Sequence, residues 1–214
     1  MKHIVLLSLV FSILILSACS SLNKQSLEQE IVLNIPETYI TSETPEWLTV
    51  KGENIVLLWE LLRVWDVLQD VFLDKRADYF DEVESTFLSD YPWVKLIQTV
   101  PSLDTPVCTF QTKQLEAAAK KFIETQFITI SNDTPFALQR FCSANGIDNL
   151  VTLSDARTRE FWEKNNFFLP QYGLLARSIM IVDENLKILY IEYADEVTSE
   201  LNLENALSFL QSVN

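Results

Sequence analysis

Trp93-Val94-Lys95-Leu96-Ile97-Gln98-Thr99-Val100-Pro101-Ser102-Leu103-Asp104-Thr105-Pro106-Val107-Cys108 is the stretch that decides the fold. Residues 93–100 are mostly apolar and read as a buried strand. Pro101 has no N–H to continue a sheet ladder and ends it. Good helix formers follow from Gln111 to Lys121, with Leu115, Ala118, Ala119 and Phe122 on one face, so Cys108 to Phe122 reads as a helix. A cysteine therefore stands where a buried strand hands over to a helix.

The pattern repeats outward. Phe127 to Ile130 is a second strand. Thr134-Pro135 is a helix entry with Thr134 as N-cap, and the helix runs to about Asn145, where Gly146 closes it. Leu150 to Leu153 is a short extended piece, and Ser154 is read as the cap of a helix through about Lys164. Arg177 to Val182 and Lys187 to Tyr193 form a hairpin around Asp183-Glu184-Asn185, and Leu203 to Val213 is the last helix. Alternating strands and helices build a parallel sheet, to which the hairpin adds antiparallel strands. The expected class is α/β, with a central mixed sheet flanked by helices in the element order of a thioredoxin-like fold.

Ahead of that core the pattern is weaker. Ile31 to Ile35 and Trp47 to Val50 read as strands. Ile55 to Leu73 carries apolar residues at 57, 58, 61, 62, 65, 68 and 72, which is helical spacing. Glu60, Arg63, Asp66 and Asp70 interrupt it, so it is no membrane span. An acidic run, Asp74 to Asp90, follows. Residues 55–92 are taken as a divergent helical insertion within a domain spanning 31–214.

The first residues carry a different signal. Lys2 precedes an apolar run from Ile4 to Leu16, the size of a secretory signal and short for a span. Leu16-Ser17-Ala18-Cys19 resembles the lipobox of bacterial lipoproteins, which implies a signal peptide over 1–18 and acylation of Cys19. Residues 19–30 then serve as a polar tether. A lipid-anchored protein of the bacterial cell envelope is expected, at the outer membrane or periplasmic face in a Gram-negative organism. Formal net charge is −14 over 214 residues, which repels nucleic acid and argues against that partner.

With Cys19 assigned to the lipid, Cys108 and Cys142 remain as thiols. The only histidine is His3, inside the signal, so two cysteines without imidazole cannot build a usual four-ligand zinc site. No cofactor is expected. Reaction at Cys108 must run without an imidazole base. A helix N-terminus favours a thiolate there, and Arg177 is the candidate cation. Thr105, one turn earlier, offers a hydroxyl, while Pro101 and Pro106 stiffen the loop. On residues alone three readings stand: a thiol peroxidase, a non-catalytic lipoprotein whose cysteines form a structural disulfide, and a thiol–disulfide exchanger. Arg140 and the acid pairs Asp81-Glu82 and Asp195-Glu196 read as solvated surface.

Pro101-x-x-x-Thr105-x-x-Cys108 resembles the active-site motif of peroxiredoxins. SLDTPVC at 102–108, RFC at 140–142, LARSIMIVDEN at 175–185 and DEVTSE at 195–200 are similar to the atypical two-cysteine thiol peroxidase branch. The resemblance covers Trp93 to the C-terminus. It implies that Cys108 is the peroxidatic cysteine and Cys142 the resolving one. Thr105 and Arg177 would stabilise the transition state, and Pro101 would shape the loop. It further implies a peroxide substrate, a Cys108–Cys142 disulfide in turnover, a thioredoxin-like dithiol reductant, and a homodimer formed near the active site.

Overall fold

The computed structural model describes residues 45, 48–58 and 60–213. The signal, Cys19, the tether, the expected strand Ile31–Ile35, Trp47 and Trp59 lie outside them. A seven-stranded sheet dominates, in the order β11-β10-β5-β6-β7-β3-β4. Its strands are β3 (Leu73–Lys75), β4 (Glu84–Thr86), β5 (Lys95–Thr99), β6 (Gln126–Ser131), β7 (Val151–Ser154), β10 (Ser178–Val182) and β11 (Ile188–Tyr193). Two small hairpins flank it, β1 (Leu48–Val50) with β2 (Glu53–Ile55), and β8 (Phe168–Leu169) with β9 (Leu174–Leu175).

β5 lies inside the sheet, between β10 and β6, and all five of its residues are buried. It runs parallel to β6, and β6 parallel to β7, while β10 lies antiparallel on its other edge. The parallel steps are made by helix α1 (Pro106–Ala119) and helix α2 (Pro135–Asn145). Among the described residues, a short α3 (Glu160–Lys164), a terminal α4 (Leu203–Val213) and a 3₁₀ turn at Leu88–Asp90 complete the helices.

Register assigns the two faces, because paired residues point the same way and neighbours alternate. Gln98, Thr129 and Thr152 align across β5, β6 and β7. Gln98 donates from its amide to Thr112 on α1 at 2.7 Å, which puts α1 on that face. Tyr190, aligned through Ile181 with Leu96, meets Phe209 of α4, so α4 lies there too. Ile97, Met180 and Ile191 point the other way. They pack in one apolar cluster with Leu48, Leu61, Leu68, Phe161, Trp162 and Phe167.

The helix expected over 55–73 does not form. After β2 the chain is irregular until β3. Its backbone instead pairs beside β11, the edge strand of the sheet. Trp65 N–H donates to the Ile188 carbonyl at 2.8 Å, Leu68 N–H to Leu186 at 2.9 Å, and Ile188 N–H to Asp66 at 2.8 Å. An unpaired strand edge offers these bonds in a line, and covering it blocks edge-to-edge pairing. The helical stripe is also not the buried one. Leu61 and Leu68 enter the core, but Leu58, Trp65 and Phe72 are exposed, the last at 47%. The acidic run supplies β3 and β4, which extend the sheet past β7.

The helix expected from Ser154 is also displaced. Ser154 stays at the end of β7 and donates its hydroxyl to the Asp133 carbonyl at 2.6 Å. Asp155 does the capping from a distance, accepting the N–H groups of Phe161 and Trp162, both at 3.0 Å. Arg159, at φ 58°, makes the left-handed bend that starts α3. At α2 expectation and structure coincide: Thr134 caps it through Ala137 N–H, and Gly146 ends it in the left-handed region.

Candidate active site

Cys108 is the third residue of α1 and is fully buried. Thr105 is the N-cap residue and Pro106 opens the helix, a place where its missing N–H costs nothing because a first-turn N–H has no intrahelical acceptor. The sulfur therefore sits in the first turn, where N–H groups lack intrahelical acceptors.

Arg177, just ahead of β10, is 2% exposed and reaches that sulfur. Its Nη2 donates to Cys108 Sγ at 3.2 Å. Its Nε donates to the Val197 carbonyl at 2.9 Å, and Nη1 to Gln111 Oε1 at 3.4 Å. A guanidinium holding three acceptors is fixed in plane and direction as a lysine would not be. Gln111, one turn after Cys108, keeps its Nε2 buried without a hydrogen-bond partner. That leaves an unspent amide NH2 group beside the thiol and guanidinium.

Val197 is itself braced. Thr49 of β1 donates its N–H to Asp195 at 2.7 Å and accepts from Val197 N–H at 2.9 Å. The Glu196 carboxylate accepts the Thr49 hydroxyl and the N–H groups of Lys51 and Gly52, each at 3.0 Å. Thr198 adds its N–H at 3.1 Å and its hydroxyl at 2.6 Å. The Thr198 hydroxyl foremost, with the hairpin N–H groups, holds this carboxyl down at about 2. Glu196 is thus no idle surface acid, correcting the sequence reading. It ties the β1–β2 hairpin to the turn whose carbonyl aims Arg177.

The loop from Pro101 to Thr105 is held by Asp133, two residues past the end of β6. Pro101 is buried at the end of β5. Asp133 accepts the Ser102 hydroxyl at 2.8 Å and Leu103 N–H at 2.7 Å. Thr105 places its hydroxyl toward the Ser102 carbonyl at 3.2 Å rather than toward Cys108. It makes that bond as a donor, which leaves its oxygen able to accept from a bound molecule.

Cys142 lies within α2, half-buried, its Sγ 3.4 Å from the Thr152 hydroxyl on β7. Burial foremost, with the charges of Glu116 and Asp148, pushes its thiol up despite the Thr152 contact. Both cysteines are free thiols. Cys108 contacts Arg177, just ahead of β10, whereas Cys142 contacts Thr152 on β7, and β5 and β6 lie between those two strands. A disulfide requires Cα atoms within about 7 Å. Cys142 is held inside α2, whose closing turn is built on its own carbonyl, and the two thiols are not joined.

The structure thus brings Cys108 and Arg177 into contact and puts Pro101 and Thr105 in the loop above them. It holds Cys142 apart. Arg140 is exposed on α2. Sequence reasoning missed Gln111, Asp133 and Glu196. The position of Gln111, three residues beyond Cys108 and so on the same helix face, was the available signal. Asp133 and Glu196 act through backbone N–H groups, and no side-chain pattern announces that.

A thioredoxin-like fold with a buried thiol in the first helical turn, held by a buried guanidinium, defines the peroxiredoxin class. The redoxin family profile matches residues 80–207. A thiol peroxidase of Oceanobacillus iheyensis is 39% identical over 164 residues, 76% of this chain and 97% of that protein. One from Corynebacterium glutamicum is 42% identical, covering 75% of this chain and 96% of the relative. Among solved structures, a peroxiredoxin-like protein from Aquifex aeolicus superposes with a TM-score of 0.68 at 28% identity, covering 79% of this chain and 98% of that one. A thiol peroxidase from Chromobacterium violaceum, at 20% identity and TM-score 0.67, covers 77% and 95% and shares the fold. The chain belongs to the thiol peroxidase family of peroxiredoxins.

Proposed function

We propose that this chain is a thiol-dependent peroxidase that reduces hydrogen peroxide or alkyl hydroperoxides with Cys108 as nucleophile. The 3.2 Å contact between Arg177 Nη2 and Cys108 Sγ, both buried, is the observation that carries the reading. A structural clip between two cysteines has no use for a buried guanidinium, and the free thiols here sit on different parts of the sheet face.

The Cys108 thiolate attacks the terminal peroxide oxygen. A S–O bond forms, the O–O bond breaks, and water or an alcohol leaves with a proton. Charge moves from sulfur onto the departing oxygen, within reach of a guanidinium already aimed by Val197 and Gln111. Thr105 accepts the peroxide O–H and sets its direction. The product is a Cys108 sulfenic acid. Cys142 then attacks that sulfur, forming the disulfide and releasing water. A thioredoxin-like dithiol protein restores both thiols by exchange.

The proposal extends to place and assembly. The Leu16–Cys19 lipobox supports a chain acylated at Cys19 and held at a bacterial envelope membrane, and the family resemblance supports a homodimer. Among the described residues no helix is long and apolar enough to cross a membrane. Mass spectrometry of the native N-terminus tests the anchor: a diacylglyceryl-modified Cys19 supports it, and an unmodified Met1 or a plain Cys19 rejects it. For the chemistry, peroxide consumption with a dithiol donor must vanish in Cys108→Ser; retained turnover rejects the reading.

A further inference from the structure

The route from sulfenic acid to disulfide passes through the end of α2, and one carboxylate holds that end shut. The Cys142 carbonyl accepts the N–H groups of Gly146 and Ile147, the latter at 3.1 Å, so the turn that closes α2 is built on Cys142 itself. The next two residues are bound by Glu116 of α1. Glu116 Oε2 accepts Asp148 N–H at 3.2 Å and Asn149 N–H at 2.9 Å, and Oε1 accepts the Asn149 side-chain amide at 2.6 Å. Lys120 lies 3.3 Å from Oε1 on the outer side. Glu116 is 5% exposed. Burial pushes its carboxyl up, but the Asn149 and Asp148 donors outweigh this and hold it below the usual range, so it is ionised at neutral pH.

Nothing in the attack on peroxide uses Glu116. It touches neither Cys108 nor Arg177. Its bonds cross from α1, the helix of the peroxidatic cysteine, to residues 148–149, which connect the resolving helix to β7. Cys142 cannot leave Thr152 unless the 142–147 turn loosens, and that turn is pinned at its far end by these three bonds.

We infer that Glu116 is a latch: its bonds to Asp148 and Asn149 set the rate at which Cys142 leaves α2 to meet the oxidised Cys108. This rests on the peroxidase reading above. In the latched state α2 stays wound and the sulfenic acid waits. Release lets the Cys142 thiolate attack the Cys108 sulfur. The S–S bond forms, the S–O bond breaks, and the departing hydroxide takes a proton to become water. While the sulfenic acid waits, a second peroxide can carry it to the sulfinic acid, which the dithiol reductant does not restore. The latch therefore sets the partition between turnover and overoxidation. Glu116 is a positioning residue, acting through the backbone it holds.

The test is quenched-flow oxidation of the full reduced chain with hydrogen peroxide, counting sulfenic acid, disulfide and sulfinic acid at Cys108 by mass spectrometry. Two variants separate the latch from the charge. Glu116→Gln removes the charge and weakens the bonds; Asn149→Ala removes the 2.6 Å bond and keeps the charge. A lost charge-assisted bond predicts about tenfold faster disulfide formation in each. The sulfenic-acid phase should keep its wild-type rate, and sulfinic acid at high peroxide should fall. Amide exchange should quicken across 138–149 and not across β5, which also shows that the variants remain folded. Disulfide formation at or below the wild-type rate in both variants overturns the latch. So does acceleration in Glu116→Gln alone, which assigns the effect to charge. Failure of the peroxidase reading is distinguishable, because the sulfenic-acid phase would then be missing in the wild type.

Discussion

Replacing Arg177 with methionine removes the guanidinium while keeping an unbranched side chain of similar reach. Three bonds disappear: to Val197 at 2.9 Å, to Gln111 at 3.4 Å and to Cys108 at 3.2 Å. Only the last touches a reacting atom, and only interactions that strengthen toward the transition state accelerate the step. A hydrogen bond to a charged group contributes about 1.5–3 kcal/mol. At about 1.4 kcal/mol per tenfold, the rate of Cys108 oxidation should fall roughly 10- to 150-fold. Arg177→Lys keeps the charge but cannot hold three acceptors at once, so it should fall between the two. The assay is stopped-flow oxidation of reduced protein under excess hydrogen peroxide, reading the fast phase. The Val197 carbonyl loses a buried partner, costing about 1–3 kcal/mol of stability, so rates are compared well below each melting midpoint. If both variants stay within threefold of wild type while folded, the guanidinium does not act on the sulfur and the reasoning fails.

Three further outcomes are expected. Cys142→Ser should form the Cys108 sulfenic acid at the wild-type rate and then accumulate sulfinic acid under excess peroxide; a wild-type yield of disulfide would contradict the assignment. Glu196→Ala should slow Cys108 oxidation several-fold through the displaced Val197 carbonyl and leave disulfide formation unchanged, with equal slowing of both phases arguing for general loosening instead. Burial, opposed by the Phe161 and Trp162 N–H groups, pushes the Asp155 carboxyl from 3.8 up to about 6. Its folded value exceeds its unfolded one, so its contribution is full below about pH 4 and is lost as pH rises through 6, by about 3 kcal/mol. Urea denaturation at pH 4 and 7 should show that this difference shrinks in Asp155→Asn; an unchanged difference would place the titration elsewhere.

The strands and helices that carry the site were legible because their signals are local. Pro101 ends β5, Thr134 caps α2, Gly146 closes it, and the Cys108 position follows from the strand-to-helix switch. Residues 55–73 were misread because their apolar spacing satisfies a helix, while the deciding term was an open sheet edge at Leu186–Ile188, more than 100 positions away. Ser154 is a good cap residue by type, but its hydroxyl is engaged by the Asp133 carbonyl, and the carboxylate one residue on folds back to Phe161 and Trp162 instead. Within the site, Arg177 could be nominated from its strand, but what aims it could not. Glu196 and Thr49 meet across 147 positions, a contact visible only after folding.

The central claim is that the buried Cys108 reduces peroxide and hands its oxidation to Cys142. The direct measurement is titration of the fully reduced chain with one equivalent of hydrogen peroxide, followed by acid quench and peptide mapping. The account predicts loss of the oxidant, one Cys108–Cys142 disulfide per peroxide consumed, and return of both thiols on adding a dithiol. Peroxide left intact, or consumed with Cys108 still a free thiol, would contradict it.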